Sequence, residues 1–295
     1  MARGQGRAGW LRRGLVLATA CGALAFAGCG GDDEGKDDGG GEAKPLAVEL
    51  KEASPTEFTI TAPTSAQAGA VRIDFRNASK VPAETQLIKV DGDQPADQVI
   101  KEIFDAGEGA PTPPWAHAAG GVGGTAPGAS GTATQVLEPG TYHLFGLPDT
   151  EDENVKPAVT TIKVEGEGGG ELPDAPATIT AEDYGFVTDG LKAGKNTIRF
   201  ENAGREPHHV IAAPFAPGAT IEDVKAFAMT EGEPEGPPPV DLENTRNTVV
   251  LDGGVDQVTE IELQKGKYAL VCFISDRAGG PPHVAKGMLA EVDVP

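Results

Sequence analysis

The stretch "GKNTIRFENAGREPHH" (residues 194–209) indicates the fold, because a related stretch, "GAVRIDFRNASKVPAE" (69–84), precedes it in the chain. In both stretches apolar and polar residues alternate as far as a Phe and an Asn, and a polar turn with a Pro follows. Alternation with a period of two is typical of a strand that buries one face. The chain therefore contains an internal repeat of β-rich units.

A second pair of stretches extends this repeat. "LEPGTYHLFGLPD" (137–149) and "LQKGKYALVCFIS" (263–275) share a Gly-x-Tyr turn that leads into a strand. Each copy also predicts one short helix, over residues 95–105 and 221–229, and the second has Thr220 as N-cap with Asp223 three residues later. The sequence predicts an all-β fold of two tandem Greek-key β-sandwiches, each with one short helix.

The repeat also predicts the domain organisation. The copies occupy residues 45–165 and 177–295, and the Gly- and acid-rich residues 166–176 link them. Each copy is long enough for a hydrophobic core of its own. In the first copy the irregular residues 106–131 predict a mobile surface excursion, with Trp115 as an apolar anchor.

The N-terminus predicts export. Residues 1–28 combine a basic start with a short apolar stretch, as in a signal peptide, and the "FAGC" that ends at Cys29 resembles a bacterial lipobox with Phe26 where Leu is usual. We expect lipidation at Cys29, with an ordinary cleaved signal peptide as the alternative. Residues 29–44 are mostly Gly and acids, which predicts a disordered tether. The expected location is outside the cytoplasm, lipid-anchored to the membrane at the cell surface or in the periplasm.

The charge balance excludes some partners. After residue 28 the chain has 20 basic and 45 acidic residues, a formal charge of −25. Nucleic acids and anionic lipid surfaces need a basic face, so neither is an expected partner. The sequence has no phosphate-binding Gly-Lys-Ser/Thr loop, no Gly-x-Ser-x-Gly and no His-Glu-x-x-His. We therefore predict that the chain is not an enzyme.

The end of the chain carries a group of soft donors. In "VCFISDRAGGPPHVAKGM" (271–288), Cys272 is followed by His283 and Met288, and His208 ends the opening stretch at "EPHH". A thiolate, two imidazoles and a weak axial thioether are the donor set of a blue-copper site. Taken singly, the Cys and Met also suit an apolar core, and the histidines a surface. A cysteine in an exported chain without a disulfide partner nevertheless needs an explanation.

These residues carry a resemblance to a known family. In "NAGREPHHV" (202–210) an Asn-Ala-Gly turn precedes Pro-His, and the chain ends with Cys…His-x4-Met, so the second copy resembles a cupredoxin, the plastocyanin-like fold. The resemblance implies one type 1 copper per chain, with His208, Cys272 and His283 as equatorial ligands and Met288 as axial ligand. It also implies that His209 braces the ligand loop by hydrogen bonding.

Two further features bear on this resemblance. Ten residues separate Cys272 from His283, whereas plastocyanins have two and the copper nitrite reductases have a longer loop. The first copy has no ligand at the corresponding positions, which hold Ala83, Gly146, Glu153 and Ala158. The first domain is therefore expected to keep the fold without copper, and His117 and His143 to be structural or surface residues.

The function that the resemblance implies is single-electron transfer by a membrane-anchored copper protein. We expect His283 to be a near-surface electron port and the redox partner protein to have a basic docking face. One alternative is a non-redox lipoprotein that binds or delivers copper, and another is a metal-free β-sandwich interaction module. A copper enzyme needs additional histidine-rich sites, and the chain has five histidines with no His-x-His pair. The sequence does not predict the oligomeric state.

Overall fold

A computed structural model describes residues 43–152, 154–230 and 236–295. The predicted signal peptide, the lipidation site Cys29 and tether residues 29–42 lie outside these ranges, as does Glu153. Within the described ranges no helix has the length and hydropathy needed to cross a membrane.

The first half of the chain consists of nine strands and one short helical segment. The helix Ala96–Val99 continues as a π-helical turn, Ile100–Phe104, close to where the sequence predicted one helix. The strands are β1 (Lys44–Ser54), β2 (Glu57–Thr61), β3 (Ser65–Gln67), β4 (Gly69–Asn77), β5 (Ala83–Val90), β6 (Ala116–Ala118), β7 (Ser130–Leu137), β8 (Gly140–Pro148) and β9 (Ala158–Glu165).

The second half has eight strands, the helix Ile221–Ala228 and a 3-10 turn, His283–Lys286, which the sequence did not predict. The predicted cap is present, because the Thr220 side chain accepts from the Asp223 amide while the Asp223 carboxylate accepts from the Thr220 amide. The strands are β10 (Ala177–Glu182), β11 (Gly185–Asp189), β12 (Gly194–Asn202), β13 (Ile211–Pro214), β14 (Arg246–Asn247), β15 (Asp256–Leu263), β16 (Gly266–Val271) and β17 (Leu289–Val294).

The strands form two sandwiches that share one sheet. In the first half, sheet β3-β9-β8-β5-β6 packs on β7-β4-β1-β2; in the second, β14-β13-β16-β17 packs on β11-β10-β12-β15. Strands β7 and β15 pair antiparallel, with Gln135 opposite Gln257, so the two inner layers become one eight-stranded sheet. The predicted all-β fold is confirmed, and the continuous sheet is an addition that the repeat did not predict.

The opening stretch shows how the alternating pattern forms the core. In β12, Ile198 and Phe200 are fully buried whereas Arg199 between them is exposed, and Val71, Ile73 and Phe75 of β4 are buried in the same way. Burying an apolar side chain of this size stabilises a fold by about 1.5–3 kcal/mol. The two halves therefore build their cores from equivalent strand positions.

The prediction of a surface excursion over residues 106–131 is wrong. The structure buries Ala116, Gly120, Gly121 and Val122, and Gly121 lies so close to β5 that a Cβ atom there would be 2.0 Å from the Thr85 carbonyl oxygen. The glycines allow close backbone approach, which composition alone does not distinguish from looseness. Trp115 packs, partly buried, against the cluster that contains Phe145, as the anchoring prediction requires.

Candidate metal centre

Three segments of the second half bring His208, Cys272 and His283 together. His208 lies between β12 and β13, where its amide donates to the Leu251 carbonyl and its carbonyl accepts from the Leu251 amide, both at 2.9 Å. Cys272 follows β16, and His283 begins the 3-10 turn before β17. The buried Asn202 fixes the turn before His208, because its Nδ2 donates to the Glu206 and Leu251 carbonyls at 2.8 and 2.9 Å.

The three side chains present their donor atoms to one point. The Nδ1 atoms of His208 and His283 are 2.9 Å apart, and the Cys272 sulfur is 3.9 and 3.5 Å from them. All three residues have 0% exposure, so water does not reach the cluster. Among the described residues this is the one group of three or more His, Cys, Asp or Glu side chains placed to hold a metal ion.

Met288 is adjacent to this cluster. Its side chain is fully buried in the same apolar cluster as Cys272. Its amide donates to the His283 carbonyl at 3.0 Å, and its carbonyl accepts from the Cys272 amide at 3.4 Å. The backbone thus fixes Met288 to two of the three donor residues.

Each imidazole is held from behind by a carboxylate. Nε2 of His208 is 2.9 Å from Asp183 Oδ1, and Nε2 of His283 is 3.0 Å from Asp276 Oδ1. An ionised carboxylate only accepts hydrogen bonds, so in each histidine Nε2 carries the proton. Each Nδ1 is then unprotonated and presents its lone pair. Two lone pairs that face each other at 2.9 Å repel unless a cation lies between them. The donors therefore fit a metal ion, and their types fit copper.

Burial keeps this cluster uncharged in the absence of a metal. It raises the pKa of the Cys272 thiol to about 12, although backbone amides of His209 and Ile274 lower that pKa in part. Burial also lowers the pKa of His208, and burial together with repulsion from His208 lowers the pKa of His283 to about 4. The metal-free centre is thus a neutral thiol beside two neutral imidazoles, and a bound cation would replace the thiol proton.

The expectation that His283 lies near the surface is wrong. The ten-residue loop before it folds back, so that Asp276 and Tyr184 cover the ring; the Tyr184 ring centroid is 5.1 Å from that of His283. Tyr184 donates to Asp276 Oδ1 at 3.1 Å, and the Lys286 ammonium contacts Asp276 Oδ2 and lies 4.7 Å from the Tyr184 ring centroid. The group that reaches solvent is this outer layer rather than the imidazole.

Sequence reasoning missed Asp183, Tyr184 and Asp276. Asp183 and Tyr184 belong to a tight turn between β10 and β11, and Asp276 to the irregular loop, so no periodicity or motif marks them. The pairing of His208 with a residue 25 positions away becomes visible only in the folded chain.

His209 does not belong to the donor cluster. Its Nε2 accepts a hydrogen bond of 3.1 Å from the amide of Phe273, the residue after Cys272. This contact is of the kind expected for a residue that braces the ligand loop, a role that stays a prediction.

The strand register relates the two halves of the chain. Lys89 lies opposite Tyr142 in the first half, and Pro214 lies opposite Tyr268 in the second. Taking Tyr142 and Tyr268 as equivalent makes Lys89 equivalent to Pro214. Six residues before these two lie Ala83 and His208, and four residues after the tyrosines lie Gly146 and Cys272. Since Gly146 pairs with Ala158, Ala158 is equivalent to Met288.

The first half has an apolar core where the second has its donors. A Cβ atom on Gly146 would lie 2.6 Å from Leu50 Cδ1 and 3.1 Å from Ile60 Cδ1. His143 is buried and structural, with Nδ1 3.0 Å from the Thr161 hydroxyl and Nε2 2.8 Å from the Gln94 carbonyl. His117 contacts Asp91 and Asp252 and lies outside the donor cluster.

Comparisons with known proteins give matches to solved structures alone, because no family model and no curated protein matches the chain. A reduced auracyanin from Roseiflexus castenholzii is 18% identical over 43% of this chain and 100% of its own, with a TM-score of 0.27. The blue copper protein auracyanin A from Chloroflexus aurantiacus is 16% identical over 41% and 99%, with a TM-score of 0.28. The copper nitrite reductase from Nitrosomonas europaea is 13% identical over 85% and 94%, with a TM-score of 0.23.

Identities and TM-scores at this level assign neither a ligand nor an activity to the chain. What the chain can bind follows from its own residues. The second β-sandwich buries a His, a Cys and a His in the order of the motif quoted above, with the His-x4-Met spacing but a ten-residue loop between Cys272 and His283. The chain thus consists of two tandem β-sandwiches, and the second buries His208, Cys272 and His283 as a cluster whose donor types suit copper.

Proposed function

We propose that the chain binds one copper ion through His208, Cys272, His283 and Met288 and carries single electrons outside the cytoplasm, anchored through a lipid on Cys29. The observation that carries the proposal is the pair of facing Nδ1 atoms, 2.9 Å apart, beside a buried cysteine sulfur. Each Nε2 is already occupied by a carboxylate, which leaves both Nδ1 atoms directed at each other and at the Cys272 sulfur.

Copper in such a site supplies a one-electron couple between Cu(I) and Cu(II). The residues of the chain hold the donors in one geometry for both states. Asp183 and Asp276 orient the two rings, backbone hydrogen bonds fix Met288 to Cys272 and His283, and burial excludes water. A centre that cannot rearrange favours rapid exchange of an electron.

The surface charge supports a particular kind of partner. With a formal charge of −25 after residue 28, the chain favours a redox protein with a basic docking face, and association should weaken as salt increases. Electrons would pass through the outer layer formed by Tyr184, Asp276 and Lys286, because His283 itself is buried.

A non-redox copper-binding role is the second candidate. It is favoured by the complete burial of both histidines, which leaves no imidazole edge for a partner. A copper enzyme receives no such support, because the described residues contain a single cluster of metal-binding side chains.

Copper titration of the purified protein, followed by visible absorption and EPR, tests the proposal. We expect one copper per chain, an intense blue Cu(II) species and its loss in Cys272→Ser and His208→Asn. His143→Asn is the matched control, since it removes a buried histidine outside the cluster and should leave the colour unchanged. Stoichiometric copper without blue colour or reversible reduction would favour the binding role. No stoichiometric copper would leave a metal-free interaction module.

A further inference from the structure

The loop that carries His283 is held by the first half of the chain. We call residues 273–282 the ligand loop and residues 109–119 the bracing segment. The ligand loop has no strand or helix, and its internal contacts are few; one is the 2.9 Å hydrogen bond from the Ser275 hydroxyl to the Gly280 carbonyl. A loop of ten residues needs external contacts to fix a metal ligand in one position.

Arg277 supplies most of these contacts. Its Nη1 is 2.8 and 2.7 Å from the two carboxylate oxygens of Asp252, which is 8% exposed. Its Nη2 donates to the Pro113 and Ala116 carbonyls at 3.2 and 2.8 Å, both in the bracing segment. Charge-assisted bonds of this kind are stronger than neutral ones and fix orientation.

The backbone of the ligand loop is tied to the same segment. The Thr112 amide donates to the Arg277 carbonyl at 2.9 Å, and the Gly280 amide donates to the Gly109 carbonyl at 2.9 Å. Contact at Gly109 is so close that a Cβ atom there would lie 2.7 Å from the Gly280 carbonyl oxygen. The bracing segment therefore holds the loop at both its middle and its far end.

The bracing segment also reaches the other histidine. Leu251, which pairs with His208, forms a second bridge with Ala119, and the Asp252 amide donates to the Ala118 carbonyl at 2.9 Å. Asp252 thus connects three features: it pairs with Arg277 of the ligand loop, it donates to Ala118 of the bracing segment, and it follows Leu251, which pairs with His208.

We propose that the first half of the chain, which has no donors at the equivalent positions, positions the metal centre of the second half. The bracing segment holds the ligand loop through Arg277, and so fixes Asp276 and His283, which the loop carries. Arg277 and Gly109 are positioning residues in this proposal, which rests on the proposed copper site. It accounts for the long Cys272–His283 spacing together with the retention of a first half without ligands.

Two variant pairs test the proposal in the full-length protein. Gly109→Ala alters the first half alone and pushes against the ligand loop. Gly92→Ala is its control, because the two glycines have similar φ angles, +71° and +73°, but nothing lies within 4 Å of a Cβ at Gly92. Arg277→Gln removes the guanidinium, and Arg199→Gln is its control, because Arg199 pairs with Asp256 inside the second half.

The measurements are the rate of Cu(I) transfer to a chelator, the EPR spectrum of the Cu(II) form, and amide hydrogen exchange at Gly280 in the metal-free protein. We expect Gly109→Ala and Arg277→Gln to release copper about tenfold faster, to alter the EPR spectrum and to accelerate exchange at Gly280, with both controls like wild type.

The outcomes separate the two proposals. If wild type binds no copper, the proposed function is lost, and hydrogen exchange alone decides whether the bracing segment holds the loop. If wild type binds copper and both test variants match their controls in release, EPR and exchange, the positioning role is overturned while the copper site stands.

Discussion

Asp276 contacts both His283 and Lys286, with one carboxylate oxygen 3.0 Å from the imidazole Nε2 and the other against the lysine ammonium. The imidazole of a proposed copper ligand thus shares its carboxylate with a cation at the edge of the protein. The charge at this position should act on the oxidation state of a metal in the centre, because Asp276 hydrogen bonds directly to the imidazole that would hold the metal.

Asp276→Asn should raise the reduction potential of the copper site. The substitution removes a negative charge that stabilises Cu(II), while the amide oxygen still accepts from Nε2. A tenfold loss of Cu(II) affinity relative to Cu(I) corresponds to a rise of about 59 mV. Lys286→Gln should move the potential down, since it removes a positive charge. Redox titration measures both, with Asp91→Asn as a control outside the centre; shifts of the same sign in the two variants would contradict the role assigned to Asp276.

The metal-free protein should lose stability in mild acid. The pKa of His283 falls from about 6.5 in the unfolded chain to about 4 in the folded protein. The unfolded chain therefore binds more protons between these values, and the stability that neutral His283 contributes is complete above pH 6.5 and lost as the pH falls toward 4. The loss is at most about 3 kcal/mol, because solvent screening reduces it.

Urea unfolding between pH 7.5 and 4.5 measures this effect. His283→Asn removes the titrating group, so its unfolding free energy should fall less steeply over the same range. Parallel curves for wild type and variant would show that His283 does not contribute. Copper should make the wild-type curve steeper, because binding displaces the thiol proton and so lowers the number of protons on the folded protein.

Replacing Asn77 or Asn202 by Ala should lower the free energy of unfolding by similar amounts, but only one of the two changes should lower the affinity for copper. Each buried side chain donates to two carbonyls across a turn, Val81 and Thr125 for the first and Glu206 and Leu251 for the second. Replacing either residue by Ala leaves buried carbonyls unpaired, at a cost of about 1–3 kcal/mol each. Copper affinity should fall in Asn202→Ala alone, because that turn delivers His208. Denaturant unfolding and copper titration on both variants check this, and an equal loss of copper in Asn77→Ala would refute it.

Gly146→Ala should destabilise the first half. The added Cβ would meet Leu50 Cδ1 at 2.6 Å, and overpacking of this kind costs about 1–3 kcal/mol. Gly185→Ala is the control, because nothing lies within 4 Å of a Cβ there and its φ is not positive. Thermal unfolding of the two variants compares them, and an unchanged melting temperature in Gly146→Ala would mean that the space equivalent to the Cys272 side chain is open.

The residues that the sequence predicted correctly are those set by local patterns. The alternation of apolar and polar residues predicted strands β4 and β12, and the Thr220–Asp223 spacing predicted the start of a helix. The repeat placed Ala83 and Gly146 at the positions equivalent to His208 and Cys272. Alternation and capping act within a few residues along the chain, and the repeat only transfers these local patterns from one half to the other.

The residues that the sequence missed act across long separations. Arg277 contacts carbonyls more than 160 positions earlier, and Asp183 meets His208 through a turn without any motif. The glycines of residues 106–131 suggested mobility because composition records their freedom in the unfolded chain, and not the close backbone contacts that only glycine permits. The burial of His283 was missed for a similar reason, because Tyr184, which covers its ring together with Asp276, lies 99 positions earlier in the chain.

The pairing of β7 with β15 has a consequence for the behaviour of the chain in solution. Each of these strands ends the inner layer of its own half, and an unpaired strand edge is a template on which other chains can add strands. By pairing with each other, the two halves cover both edges at once. The half without donor residues therefore also protects the chain against edge-to-edge aggregation.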